Sequence, residues 1–187
     1  MNCTSFRIPY KQANAFSTIV LDYIDRADTL QPFYANAPSI TGVQQQIEQR
    51  KNFVTDRKPL VNVLNDQYKS ISPNEKVKNN ISKLAEENCF TITTAHQPNL
   101  FTGPLYFIYK ILHTIKLAEH LQQSLPSYYF VPVFYMGSED ADFDELRHFF
   151  LDGEKKEWNT KQTGAFGRMQ IDIDLIKIIE SLNGQLS

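Results

Sequence analysis

The chain has 187 residues, with 19 Lys plus Arg against 21 Asp plus Glu, a formal net charge of −2 and 42% apolar residues. That length suits one domain, or one domain with an appendage, and the even mixture of signs excludes a disordered polyelectrolyte. It also excludes nucleic-acid binding by bulk phosphate neutralisation, which needs a surplus of Lys and Arg; a single local phosphate site remains compatible with it.

No run approaches the ~20 unbroken apolar residues of a membrane helix. The first residues, 1–7, lack the basic region and apolar core of a signal peptide. The expectation is a soluble, cytoplasmic protein with neither nucleic acid nor membrane as partner. Cys3 and Cys89 are too few for a disulfide framework and lack metal-ligand spacing. Cys89, at the start of a strand-like run, is expected to be a small core residue.

The first 88 residues read as a mainly helical, polar segment that packs on a later core. Asn14 is placed to cap a helix carrying Phe16, Ile19, Val20, Tyr23 and Ile24, a stripe at spacings of three and four. Pro32 and Pro38 interrupt the chain. Ser39 to Val54 predicts a Gln-rich helix, and Lys58 to Tyr68 another. Ser72-Pro73-Asn74-Glu75 reads as a capping box, with Pro73 at the first helical position and Val77, Ile81, Leu84 and Ala85 on the buried face.

From residue 89 the texture changes to an α/β pattern. Cys89 to Ala95 is short and β-rich. The loop His96 to Gly103 follows, and Pro104 suits a first helical turn, with Gly103 or Thr102 as N-cap. The helix carries Leu105, Ile108, Leu112, Ile115, Ala118 and Leu121 until Ser124-Leu125-Pro126 stops it. Tyr128 to Met136 is nearly continuous apolar sequence, as a strand buried on both faces of a parallel sheet requires. Pro132 would weaken a central antiparallel strand. Residues 89 to 136 thus predict one right-handed βαβ unit. Beyond it, Leu151-Asp152-Gly153-Glu154 predicts a hairpin turn with arms His148 to Leu151 and Lys155 to Trp158. Met169 to Ile173 alternates like a short strand. Asp174 is placed to cap a last helix, which Asn183-Gly184 would end.

In an open parallel sheet, ligands bind beyond the carboxyl ends of the strands. Both unusual polar clusters fall there: His96 to Gly103 after the first strand, and Ser138-Glu139-Asp140-Ala141-Asp142 after the second. A loop that opens a helix offers backbone amides and the positive end of its dipole, so Thr102 and Gly103 suit a phosphate or carboxylate and His96 a charge-assisted bond to it. The cluster has neither the Gly-Lys-Ser/Thr of a P-loop nor three spaced glycines. An ordinary capped loop with a surface histidine is the plainer reading. Acidic residues directly after a buried strand cost desolvation unless they are paired. Asp140 and Asp142 suit Mg²⁺ beside a nucleotide's phosphates, a ribose, or a substrate amine. A solvated turn, or capping of the next element, is the alternative. His113 and His120 lie inside the long helix, and His148 beside the hairpin; none is a first choice as ligand.

The stretch Thr94-Ala95-His96-Gln97-Pro98-Asn99-Leu100-Phe101-Thr102-Gly103-Pro104-Leu105-Tyr106, with Val131-Pro132-Val133-Phe134 and Ser138 to Glu145, resembles the bacillithiol biosynthesis cysteine-adding enzymes, the cysteine ligase (BshC) family. Its members carry a similar strand, a Leu-Phe-Thr-Gly-Pro-Leu-Tyr segment, a long helix, and Pro-Val-Phe followed by a Gly-Glu-Asp-His-Asp-Phe type of segment. The likeness is specific over 89–150. Three positions depart from that pattern: His96 stands where many members have Gln, Ala141 replaces the usual His, and Ser138 a common Gly.

The resemblance implies a Rossmann-like core in 89–187, related to nucleotidyltransferases and class I aminoacyl-tRNA synthetases. It implies an amide-forming ligase that joins cysteine to glucosaminyl malate, with ATP or ADP as nucleotide and Mg²⁺ as a possible ion. Carried onto this chain, His96, Asp140 and Asp142 are the candidate catalytic residues. Gln97, Asn99, Thr102, Gly103, Ser138 and Glu139 are the candidate substrate- or nucleotide-binding residues. The family is about three domain-lengths long, with further core strands and a coiled coil that mediates homodimerisation. The chain therefore reads as an amino-terminal fragment, expected to be inactive alone and to self-associate through exposed sheet edges. A nucleotidyltransferase-type enzyme and a non-catalytic binding or assembly module are the competing readings.

Overall fold

The computed structural model describes residues 4–183, so Cys3 and Gly184 lie outside the described residues. The chain divides into two compact units, Met1–Asp56 and Arg57–Ser187. In the first, helices α1 (Tyr10–Ala13) and α2 (Thr18–Ile24) precede a 3-10 turn at Asp28–Phe33 and helix α3 (Ile40–Lys51). The cap expected at Asn14 does not form. Asn14 has φ 50° and closes α1, and α2 begins after Ser17. Asparagine tolerates the left-handed region, so it ends a helix as readily as it starts one. Ser39 does cap α3, accepting from the Gly42 amide at 3.1 Å.

The second unit contains α4 (Lys58–Tyr68), α5 (Glu75–Lys83), β1 (Cys89–His96), α6 (Leu105–Ser124) and β2 (Tyr129–Met136). It continues with α7 (Phe143–Leu146), β3 (His148–Leu151), β4 (Glu154–Glu157), a 3-10 turn at Phe166–Arg168 and α8 (Ile173–Ser181). Strands β1 and β2 pair in parallel, Cys89 against Tyr129 through to His96 against Met136, and α6 is the crossover between them. This is the expected Rossmann-like βαβ unit. Helix α6 covers the face bearing His96 and Phe134, each in edge contact with Phe107 at 5.6 Å between ring centroids. On the other face Leu84, Cys89 and Val131 form a core with Val61 and Leu64 of α4. Arg57 closes that layer, donating to the carbonyls of Leu84 at 3.3 Å and Cys89 at 2.9 Å. Of the helical stretch 1–88, the part from Arg57 onward is thus one unit with the strands. No helix among the described residues is long and apolar enough to cross a membrane.

Pro132 is accommodated by the hydrogen-bond alternation of β2. The amides of Tyr129 and Gly137 point to β1, donating to Asn88 and His96 carbonyls at 3.0 Å each. Even-numbered residues face the opposite edge, where Phe130 donates to the Gln122 side chain at 3.3 Å. The missing donor of Pro132 lies on that outer edge and costs the β1 ladder nothing. Complete burial of β2 is not realised: Tyr135 and Met136, at its end, are exposed.

Three more local expectations are corrected. Helix α5 is capped by Asn74, which accepts from Val77 N–H at 3.0 Å, and not by Ser72. Asn is as good a cap as Ser, Ser72 takes φ 49° in the turn before it, and Glu75 pairs with Lys78 at 2.7 Å. Helix α8 is capped by Asp172, not Asp174; Asp172 accepts from Leu175 N–H at 3.0 Å and the Trp158 indole at 2.8 Å. No strand forms at Met169 to Ile173, because the Gln162 side chain takes both backbone groups of Gln170, at 2.8 and 2.9 Å.

The β3–β4 hairpin turns at Asp152 and Gly153, with φ 50° and 82°, as expected. A second core of Leu100, Phe149, Trp158, Leu175 and Leu182 joins the hairpin, α8 and the first loop.

Candidate functional site

The two polar loops leave the sheet side by side. His96 ends β1, and its carbonyl accepts the amide of Gly137, the residue that follows β2, at 3.0 Å. The first loop turns back through Phe101 and Gly103, with φ 53° and 56°. A Cβ on Gly103 would lie 2.6 Å from Asn99 Cγ, so this packing requires glycine on two counts. Leu100 anchors the loop: its side chain is buried in the second core and its amide donates to the Leu146 carbonyl at 3.0 Å. The second loop is held from outside by the amides of Phe166, on Asp140 O at 2.9 Å, and Gly167, on Ser138 O at 3.2 Å. Gly167 packs so closely that a Cβ there would sit 2.6 Å from that of Ser138.

The side chains meet at two points. Gln97 Nε2 donates to Asp140 Oδ2 at 2.8 Å, joining the loops directly. Asp140 Oδ1 also accepts the amides of Ala141 and Asp142, at 2.7 and 3.3 Å. The Gln97 amide, aided by these backbone donors, holds the Asp140 carboxyl below its ordinary range. Three of the roughly four acceptor positions of that carboxylate are thereby used within the loops. Asp142 caps α7, accepting from Glu145 N–H at 3.4 Å.

The second meeting point is built around His96, which is only 8% exposed. Its ring has partners other than Asp140: Nε2 lies 2.6 Å from the Tyr106 hydroxyl and 3.6 Å from Glu145 Oε1, and Nδ1 lies 3.1 Å from the Gln97 carbonyl. Tyr106 itself donates to Glu145. Asn99 Nδ2 lies 3.1 Å from His96 Nδ1 and 3.3 Å from the Gln97 carbonyl, while Asn99 Oδ1 is buried without a protein partner. Burial, then the Glu145 carboxylate, push the Tyr106 phenol up to about 12. Tyr106 and Glu145 are the residues that reasoning from sequence left out of the site. The signal was there in kind: a polar side chain in the first turn of the helix opened by each loop.

The remaining candidates sit around these points. Helix α6 begins at Leu105 with extended Pro104 as its N-cap, so neither Gly103 nor Thr102 caps it. A proline's φ suits the position before a helix as well as the first position within it. The Gly103 amide is already spent on the Leu100 carbonyl at 3.1 Å, and Thr102 is exposed beside it. Ser138 and Glu139 are exposed, Glu139 accepting from the Tyr135 hydroxyl at 3.1 Å. His148 bonds the Asp144 carbonyl at 3.2 Å, and His113 and His120 are exposed on α6. Cys89 is 1% exposed, and burial raises its thiol.

A comparison with protein families matches residues 1–187 to the model described as bacillithiol biosynthesis BshC, N-terminal Rossmann-like domain. The chain belongs to the BshC family. Among curated relatives it is 45% identical over 165 residues to "Putative cysteine ligase BshC" of Flavobacterium psychrophilum, covering 87% of this chain and 31% of that protein. The protein of the same name from Flavobacterium johnsoniae is 44% identical over 167 residues, covering 88% and 32%. That from Bacillus cytotoxicus is 33% identical over 138 residues, covering 74% and 26%.

The chain thus spans about a third of the length of these two Flavobacterium BshC proteins. The matched domain, Rossmann-like by its description, spans the whole chain, the β1–α6–β2 unit included. Among the described residues, no group of three or more His, Cys, Asp or Glu side chains is arranged to hold a metal ion. Asp140 and Asp142, the two acids suited to Mg²⁺ by position, are engaged by backbone amides. The described residues therefore offer no dedicated all-protein cation cage.

Proposed function

We propose that this chain is the substrate-holding amino-terminal portion of a cysteine ligase, which joins L-cysteine to glucosaminyl malate through an amide in bacillithiol synthesis. The observation that carries the reading is the meeting of the two BshC-like loops, through Gln97 and Asp140, at the carboxyl ends of parallel strands. Ligands of open parallel sheets bind there. Family membership over residues 1–187 supplies the reaction class.

In this reading Gln97 and Asp140 fix the spacing of the two loops. Thr102, Ser138 and Glu139, exposed on the loops, contact the polar substrates. Asn99 and Gly103 hold the shape of the first loop, and Asp142 that of the second. His96 acts from below, through Tyr106. A nucleotide, ATP or ADP, is the natural means of activating a carboxylate for amide formation.

The test is thermal stabilisation by L-cysteine, glucosaminyl malate, ATP and ADP, measured on this chain and on one extended to the relatives' full length. At least one ligand is expected to raise Tm, and both Gln97→Ala and Asp140→Asn to reduce that rise. Absence of any ligand-dependent shift in both chains would overturn the reading. Ligand shifts unaltered in both variants would remove the site from these loops.

A further inference from the structure

The hydrogen bonds around Tyr106 run in one direction. Its phenol has a single proton and two acceptor lone pairs. The proton is donated to Glu145, which as a carboxylate only accepts. The Tyr106 oxygen must then accept from His96 Nε2, 2.6 Å away, which puts the ring proton on that nitrogen. The other nitrogen, Nδ1, lies 3.1 Å from Asn99 Nδ2 and also 3.1 Å from the Gln97 carbonyl, which can only accept. The direction from His96 Nε2 through Tyr106 to Glu145 is therefore set at the Glu145 end, while Nδ1 faces one donor and one acceptor. The outer end of that sequence is one spare lone pair on Tyr106 beside a Glu145 side chain that is 38% exposed.

This end of the site offers acceptors and a negative charge, with no donor left to give. Such a pair is complementary to an ammonium group, which carries three donors and a positive charge, and it repels carboxylate and phosphate. We propose that Tyr106 and Glu145 are the specificity-determining seat for the ammonium group of the amino-acid substrate, with His96 as the positioning residue that keeps the Tyr106 oxygen an acceptor. The inference rests on the cysteine ligase reading and adds where the substrate's amine goes. It assigns Asp140 and Asp142, already engaged by the loops' own donors, to shaping the site.

Three measurements on the 187-residue chain test it. The first is the binding of L-cysteine against 3-mercaptopropionate, which keeps the thiol and carboxylate but lacks the amine. The wild type is expected to prefer cysteine by about tenfold or more, the scale of a charge-assisted bond. Tyr106→Phe and Glu145→Gln should each weaken cysteine by a similar factor and leave 3-mercaptopropionate unchanged. Retained preference in both variants, or equal weakening of both ligands, would overturn the proposal. The second is Asp140→Asn: weaker cysteine binding in that variant, with none lost in Tyr106→Phe, leaves the ligase reading standing and sinks the ammonium seat alone. A wild type that binds neither compound sinks the ammonium seat, and the ligase reading falls with it only where the extended chain also shows no ligand-dependent shift. The third needs no ligand. Imidazole ¹⁵N shifts of His96 should show the proton on Nε2; a proton on Nδ1 alone would reverse the sequence of donors and refute the assignment.

Discussion

Asp172 shows how much one side chain can organise. It caps α8 through Leu175 N–H and receives the Trp158 indole, tying the helix to the aromatic core. The Leu175 amide foremost, then the Thr160 side chain, with smaller help from the Trp158 indole and the Asp174 amide, lower its carboxyl to about 2 from an ordinary 3.8. A depressed folded-state value means that the contribution is present above the unfolded value and is lost as pH falls from about 4 to about 2. Asp172→Ala is therefore expected to lower Tm at neutral pH, with the gap to wild type closing across that interval; calorimetry at stepped pH reads it. Gly103 is constrained otherwise, by φ 56° and by Asn99 against its missing Cβ. Gly103→Ala should cost about 1–3 kcal/mol in urea denaturation, while Gly153→Ala, in open space at φ 82°, should pay the backbone cost alone.

The two strands and their crossover were readable because their boundaries are set by local rules. A β-rich run, a proline-led helix start and a Leu-Pro stop coincide with β1, α6 and β2. The caps were less readable. Ser72, Asn74, Asp172 and Asp174 are all competent N-caps, and which one serves depends on where the helix packs, not on the residue's own preference. Helix α7 is four residues long and carries no periodic signal, yet Leu146 within it is 0% exposed and Glu145 completes the Tyr106 pair. Leu146→Ala should destabilise by about 2–5 kcal/mol, measured by urea denaturation. Pro132→Val should change stability little, because a donor restored there faces the outer edge of β2. A loss comparable to that of Leu146→Ala would contradict the alternation described above.

At the scale of the molecule, the division at Asp56 has a consequence for proteolysis. The segment before it carries exposed Phe53 and Val54, Val54 at 103% relative exposure. Brief chymotrypsin treatment is expected to cut first after Phe53, leaving a fragment from about residue 54 onward that keeps the β1–β2 circular-dichroism signal. First cleavage within α6 or β2 would contradict the division. The outer edge of β1 is partly closed, by Arg57 on Cys89 O and by Lys110 on Ala95 O at 2.6 Å. Thr91 and Thr93 between them are exposed.

Periodicity, turn chemistry and the two loop motifs, all properties of neighbouring residues, were sufficient to define the βαβ unit, the hairpin and the rim on which a site would lie. Which polar groups still have capacity to meet a ligand was decided by contacts between residues far apart in the chain. Asp140 is engaged by Gln97, 43 positions earlier, and Tyr106 meets Glu145 39 positions later. A hydrogen bond consumes a donor and an acceptor together, and only the packed chain determines which of them are spent.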